Sequence, residues 1–402
     1  MESEFRNYFT KSLDIFSRNF YHQLVNFNPN RNIICSPLSI QTCAGMLRMG
    51  AVDGSETAIE LDGGLNFSSN YAKEIANGFS NVLTTYVECS VLTMANKLYL
   101  MKDYKVRKRF NEILTQKFHS EAENIDFSIG SEAANTINGW VESRTNKLIS
   151  NIVSSDALSG NTRLVLVNAI HFKGEWTVKF EESETRSEDF FLGNEKILKV
   201  SMMNAANKYY FADLPEMDAK ALRLAYQDTD LFMLIILPNL NAGLKQLEKK
   251  LQTTSLEDIT SQLTLHKVFV KLPKFKAEFE QELTPVFKEM GIKLIFNGQA
   301  EFGNMLDSNE RLDVSKILHK AFIEVNEEGT EVAAATAMVV AVRSMPPPEL
   351  EPKHFYADHP FYFTIYHANH GCLFVGNFNS PDISHVDNVR LVCQCKREQC
   401  ED

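Results

Sequence analysis

The chain has 402 residues, 44% hydrophobic and 23% charged, an ordinary globular composition that argues against a disordered or fibrous protein. With 41 basic and 52 acidic residues the net charge is −11, which disfavours general nucleic-acid or anionic-membrane roles, because such partners reward a basic surface. The longest wholly apolar run, Leu231 to Leu237, is far too short to span a membrane.

Met1 to Phe20 mix charged and apolar residues at helical spacing and lack the basic start and continuous apolar stretch of a secretory leader. The compartment is therefore open: cytoplasmic, or extracellular if a leader has been removed. Phe9, Leu13, Phe16, Phe20 and Leu24 recur every three to four residues and predict an amphipathic helix over 8–27. Further helices are expected at Leu38–Gly50, Thr57–Leu61, Tyr71–Tyr86, Val106–Phe118 and Ser131–Lys147, the last with Trp140 on its apolar stripe. Strands dominate from there: Thr162–Phe172, Lys196–Met203, Lys208–Leu214, Ala219–Tyr226, Leu231–Leu237 and Val268–Ala277. Phe361–His367 and Leu373–Phe378 close the pattern. Helices first and strands later indicate the α+β class. No repeat and no Gly/Ser-rich linker divides the chain, so one domain is expected over 1–382, followed by a flexible polar tail over 383–402.

Rival chemistries leave little trace. The chain has no phosphate-binding Gly-x-x-x-x-Gly-Lys loop, no Gly-x-Gly-x-x-Gly, no Gly-x-Ser-x-Gly elbow and no His-Glu-x-x-His. Nothing therefore points to an enzyme or a cofactor. Of seven cysteines, Cys35, Cys43, Cys89 and Cys372 sit in apolar or amphipathic segments and read as small buried residues. Cys393, Cys395 and Cys400 cluster in the tail, but three thiols fall short of the usual four zinc ligands, so no metal site is expected. Asn66-Phe67-Ser68 is a glycosylation sequon, usable only on the secretory path.

The most informative segment is 327–344. Val332 to Val342 is eleven residues without charge, proline or any side chain larger than methionine, ending at Arg343-Ser344 and soon at Pro346-Pro347-Pro348. Counting in twos puts Thr330, Val332, Ala334, Thr336, Met338 and Val340 on one face of a strand and Glu331, Ala333, Ala335, Ala337 and Val339 on the other. The segment is composed like a buried strand yet flanked like an exposed loop, which suggests two alternative positions.

The stretch His319-Lys320-Ala321-Phe322-Ile323-Glu324-Val325-Asn326-Glu327-Glu328-Gly329-Thr330-Glu331 resembles the reactive-loop hinge of the serpins. Asn32-Ile33-Ile34-Cys35-Ser36-Pro37-Leu38-Ser39-Ile40, Leu166 to Trp176, Leu272-Pro273-Lys274-Phe275-Lys276 and Ala357-Asp358-His359-Pro360-Phe361 match the same family in its order, so the resemblance runs over about residues 8 to 381. It implies the serpin fold: a helix-rich half on a large mixed β-sheet plus smaller sheets, with an exposed reactive loop at about 327–350. It also implies an irreversible suicide-type inhibitor of trypsin-like serine proteases, acting as a monomer through a covalent complex.

Arg343–Ser344, fourteen residues beyond Gly329, stands where serpins place the scissile bond, and a lone arginine suits the acid-floored pocket of trypsin-like enzymes. The implied hinge is Glu327, Glu328, Gly329, Thr330, Glu331, Val332, Ala333, Ala334, Ala335 and Thr336. Val332 departs from the usual alanine, and its volume on the buried face could slow insertion. The implied polar cluster under the sheet opening is Ser36, Ser39, Asn168 and His319. Trp176 is the counterpart of the residue at the head of the sheet, and Lys274 and Glu327 of the ion pair anchoring the hinge. The basic cluster Lys102, Lys105, Arg107, Lys108 and Arg109 falls at a strand-to-helix junction, away from the helix that heparin-responsive serpins use, and reads as a solvated helix start rather than a polyanion site. The alternative function is a non-inhibitory serpin-fold carrier, storage or chaperone-like protein, although such relatives typically carry charge or proline in the hinge.

Overall fold

Helix starts in the N-terminal half follow local chemistry. Ser36, in extended conformation, accepts a hydrogen bond from the Ser39 amide, and Pro37 occupies the first turn, where its missing N–H costs nothing. Ser55 caps the next helix in the same way through the Ala58 amide. The computed structural model describes residues 2–67, 72–87, 91–193, 196–307, 310–330, 351–381 and 389–390. Its helices are α1 (Glu2–Phe27), α2 (Pro37–Gly50), α3 (Glu56–Gly64), α4 (Ala72–Val87), α5 (Lys108–Phe118), α6 (Gly130–Arg144), α7 (Leu244–Leu251), α8 (Leu256–Ser261) and α9 (Thr284–Glu289).

The strands up to residue 238 are β1 (Ile33–Cys35), β2 (Leu92–Met101), β3 (Ala122–Ile125), β4 (Leu164–Phe172), β5 (Gly174–Glu175), β6 (Arg186–Phe191), β7 (Ile197–Leu214), β8 (Ala219–Ala225) and β9 (Leu231–Pro238). The remainder are β10 (Thr264–Pro273), β11 (Phe275–Glu282), β12 (Val314–Val325), β13 (Gly329–Thr330), β14 (Lys353–Tyr356), β15 (Phe361–His367), β16 (Gly371–Phe378) and β17 (Val389–Arg390). One sheet runs β1-β16-β15-β9-β8-β7-β10-β14, with β6 and β17 also paired to β7. The other runs β3-β2-β4-β12-β13-β5, with β11 on β12.

Two expectations are corrected. The strands expected at Lys196–Met203 and Lys208–Leu214 are one continuous strand, β7, because β10 pairs across the junction from Met202 to Phe211. The single strand expected at Val268–Ala277 is two, in different sheets. The Lys274 amide makes the last bond to β7, at the Ser201 carbonyl, and Phe275 already faces Val325 of β12. Within the tail, the described residues Val389 and Arg390 form β17, antiparallel to Leu198 and Ile197.

The main core runs from Leu13 on α1 to Phe378 on β16, with the helices before residue 120 packed on both sheets. A smaller core lies beneath α6, whose Ala133, Ala134, Ile137 and Val141 cover Tyr99, Val165, Val167 and Ala169 of β2 and β4. At its centre the seven-stranded sheet is thus buried on both faces, and every residue of β4 is buried.

Candidate functional site

The site is the long axis of that sheet, between β4 and β12. These strands pair in parallel from Leu164–Val314 to His171–Phe322, and along that length the sheet is closed. Above His171 it divides. β13 fills the opening: Thr330 pairs with Val325 on one side and Gly174 on the other, and Gly329 pairs with Glu175. Two hinge residues are therefore seated as a strand at the head of the sheet.

Their fit is close. A β-carbon on Gly329 would lie 2.1 Å from the Gly174 carbonyl oxygen and 2.7 Å from the Glu175 α-carbon, so only glycine allows the two backbones to approach this way. Thr330 is fully buried, its hydroxyl 2.8 Å from the Tyr226 hydroxyl. Tyr226 stacks on Trp176 with ring centroids 4.6 Å apart. Trp176, itself buried, donates its backbone N–H to the Glu328 carbonyl (2.9 Å) and its indole N–H to the Asn326 carbonyl (3.0 Å). The Asn326 side-chain oxygen accepts from the amides of Glu328 and Gly329, closing the turn into β13.

Charged groups hold this turn from outside. The Lys274 ammonium is 2.8 Å from the Glu327 carboxylate, which also accepts from the Thr185 hydroxyl at 2.7 Å. Burial would raise the Glu327 pKa, but these bonds outweigh it and hold the carboxyl below its ordinary value. The carboxylate is only 8% exposed while Lys274 is 38% exposed, so the pair is better shielded from water than an open surface pair. Lys179 bridges Glu175 (2.8 Å) and Glu328 (2.5 Å), tying β5 to the turn.

Halfway down the closed sheet is a buried polar cluster. The Asn168 side-chain amide donates to the Ser39 hydroxyl (2.6 Å) and the Asn96 side-chain oxygen (2.5 Å), while its own oxygen lies 2.5 Å from His319 Nδ1. Ser36 joins through the backbone amide of Ser39. Burial pushes the His319 pKa down to about 3, against a weaker opposing effect of the Ile34 backbone, so the ring is neutral at pH 7. Asn168 belongs to β4 and His319 to β12, so this cluster stitches the two neighbouring strands together.

Ser36, Ser39, Asn168 and His319 thus meet in one cluster, and Trp176, Lys274, Glu327, Glu328, Gly329 and Thr330 in another. Glu331, Val332, Ala333, Ala334, Ala335, Thr336, Arg343 and Ser344 lie outside the described residues, as does the cysteine group of the tail. Sequence reasoning missed Asn96, Tyr226, Thr185, Lys179 and Asn326. Tyr226 and Thr185 contribute through contacts distant in sequence, whereas Asn326 acts on the amides of Glu328 and Gly329 close by. In the basic cluster, Lys102, Arg107 and Lys108 face Asp126, Asp307 and Glu112 at 2.7, 3.7 and 3.8 Å. Cys35, Cys43 and Cys372 are buried free thiols, and burial raises the pKa of each. No helix among the described residues is long and apolar enough to cross a membrane.

A family model described as Serpin (serine protease inhibitor) matches residues 11–381. The chain belongs to the serpin family. It is 37% identical to Serpin B4 of Homo sapiens over 371 residues, covering 87% of this chain and 94% of the relative. Among solved structures, Cleaved Serpin 42Da superposes with a TM-score of 0.84 at 45% identity, covering 93% of this chain and 98% of that one. Human thyroxine-binding globulin complexed with thyroxine superposes with a TM-score of 0.83 at 26% identity, covering 93% and 98%. The α+β fold of this serpin, with its two mixed sheets, is that of its relatives, and the family description is that of an inhibitor rather than an enzyme.

Proposed function

We propose that this serpin is an irreversible, suicide-type inhibitor of trypsin-like serine proteases, with Arg343–Ser344 as the bond presented to the target. The observation that carries this reading is the seating of Gly329 and Thr330 between β5 and β12, because it aims the following residues down the line between β4 and β12. The lengths agree. Thr330 to Val342 is thirteen residues, and β12, beside which they would lie, has twelve. At about 3.3 Å per residue each spans roughly 40 Å.

The chemistry balances without a cofactor. The protease serine attacks the Arg343 carbonyl carbon, the Arg343–Ser344 C–N bond breaks, and the protease histidine passes its proton to the Ser344 amine. Arg343 is left as an ester on the enzyme. Insertion of 331–342 alongside β12 carries that enzyme away and distorts its site before water hydrolyses the ester. The driving force is the pairing and burial that the uncleaved chain forgoes. Thyroxine-binding globulin shares the fold, so the fold alone does not select inhibition. The hinge Val332-Ala333-Ala334-Ala335-Thr336 supports it, since it carries no charge and no proline and, apart from Val332, only small side chains on a path through a crowded sheet.

Mixing the chain with trypsin tests the reading. A covalent adduct should survive denaturing electrophoresis, and Arg343→Glu should abolish it while leaving the melting temperature of the intact chain unchanged. Clean cleavage at Arg343 with no adduct, and a cut chain no more heat-resistant than the intact one, would overturn the proposal.

A further inference from the structure

A pocket of about 190 Å³ opens beside the hinge, where the chain crosses from one sheet to the other. Its floor is apolar, formed by Val200, Phe275, Val325 and Phe378, all buried. Its charged lining is Lys199, Lys274 and Lys276 together with Glu324. Among the described residues each ammonium is paired with one carboxylate, of Asp189, Glu327 and Glu324 respectively, and an ammonium has three N–H donors.

The connectivity around the pocket points to its occupant. The family match ends at residue 381, and Pro381 itself lines the pocket. The chain is next described at Val389, paired with Leu198, one residue from Lys199 on the rim. The two ends of the gap are close: the Phe378 ring lies 5.3 Å from that of Phe190, which faces Leu198 across β6 and β7. Seven extended residues would reach about 23 Å, whereas two strand spacings are about 10 Å, so residues 382–388 have length to spare. Their composition mirrors the pocket. Ile383 and Val386 match an apolar floor, and Asp382 and Asp387 match the three lysines of the rim.

We propose that this pocket is the docking site of the chain's own segment 382–388, seated in cis with Ile383 and Val386 on the floor and held by the pairing of β17 with β7. Lys274 and Val325 belong both to the pocket and to the support of the hinge, so the docked segment braces the turn from Asn326 to Thr330. The tail beyond the family match is then a built-in ligand of the region where insertion begins.

Hydrogen exchange read by mass spectrometry tests this on the full chain and on a chain ending at Pro381. The amides of 197–201 and 326–330 should exchange about tenfold or more faster without the tail. The double substitution Ile383→Asp and Val386→Asp in the full chain should reproduce the effect at 326–330, which separates docking from the mere presence of β17. Zero-length carbodiimide crosslinking should join Lys199 or Lys276 to Asp382 or Asp387 within one chain, with Lys276–Glu324 as the internal control. Unchanged exchange in both altered chains, or tail crosslinks found only in a concentration-dependent dimer, would overturn the proposal. None of these readouts involves a protease, so their failure leaves the inhibitory reading standing.

Discussion

The head of the seven-stranded sheet and the closed length below it are built on opposite plans. At the head, two loop residues are already in place, held by a glycine-only approach, a stacked Trp176–Tyr226 pair and ion pairs at the rim. Below, β4 and β12 are zipped by parallel pairing and cross-linked by Asn168 and His319 in a site without exposure to water. The first region resembles a product already begun, the second a barrier. The difference teaches that, on the proposed mechanism, the route for an entering strand would be set at the head and the resistance to it stored in the polar cluster and the paired backbones beneath. Lys320 fixes β12 on its other side: its buried ammonium bonds to Glu278 and Glu280 of β11 and to the Ser150 carbonyl just beyond α6.

Substitutions at each region should separate the two roles. Gly329→Val has the largest expected effect, because its side chain cannot coexist with the Gly174 carbonyl and must expel the hinge from the sheet. Trypsin should then cut the loop with at least about a tenfold loss in the fraction of encounters ending as covalent adduct, equivalent to about 1.4 kcal/mol in partitioning. An unchanged adduct yield would show that the seated pair is dispensable. Asn168→Ala attacks the closed length instead. It strips His319, Ser39 and Asn96 of a shared partner, and should cost about 3 kcal/mol in urea unfolding, the upper range for leaving buried polar groups unpaired. A loss under 0.5 kcal/mol would remove the cluster from the barrier.

The third prediction concerns pH. The pKa of His319 is about 3 in the folded chain and about 6.5 when unfolded, so between these values the unfolded chain binds the extra proton. Stability therefore falls as pH drops below about 6.5, by about 2 kcal/mol at pH 5 from this group alone. His319→Gln should lose correspondingly less between pH 7 and pH 5 in denaturant melts, and identical losses would mean the histidine contributes no such linkage.

Much of the architecture was legible in the sequence, for traceable reasons. The apolar spacing of Leu13, Phe16, Phe20 and Leu24 marked α1, and the unbroken run Leu231–Leu237 marked β9, because a buried stripe and a two-face-buried strand each leave a simple periodicity. By contrast β2 and β12, two of the central strands, escaped the pattern search. Lys97 and Asn96 interrupt the first, and His319, Lys320 and Glu324 the second, so neither reads as a buried strand. These residues are tolerated only because partners arrive from elsewhere: Glu121 and Glu123 for Lys97, Asn168 for His319, and Glu278 and Glu280 for Lys320.

By itself the sequence determined the family, the α+β class and the order of most elements. These depend on residue type and spacing along one segment, which local sterics and burial read directly. Only the tertiary structure decided that Gly329 and Thr330 sit between β5 and β12, that Tyr226 and Thr185 hold them, and that the tail returns to β7 beside a lysine-rimmed pocket. Each of these is a pairing of groups far apart in the chain. Which distant partner meets a buried hydroxyl or carboxylate is fixed by how the two sheets pack, and no local pattern records it.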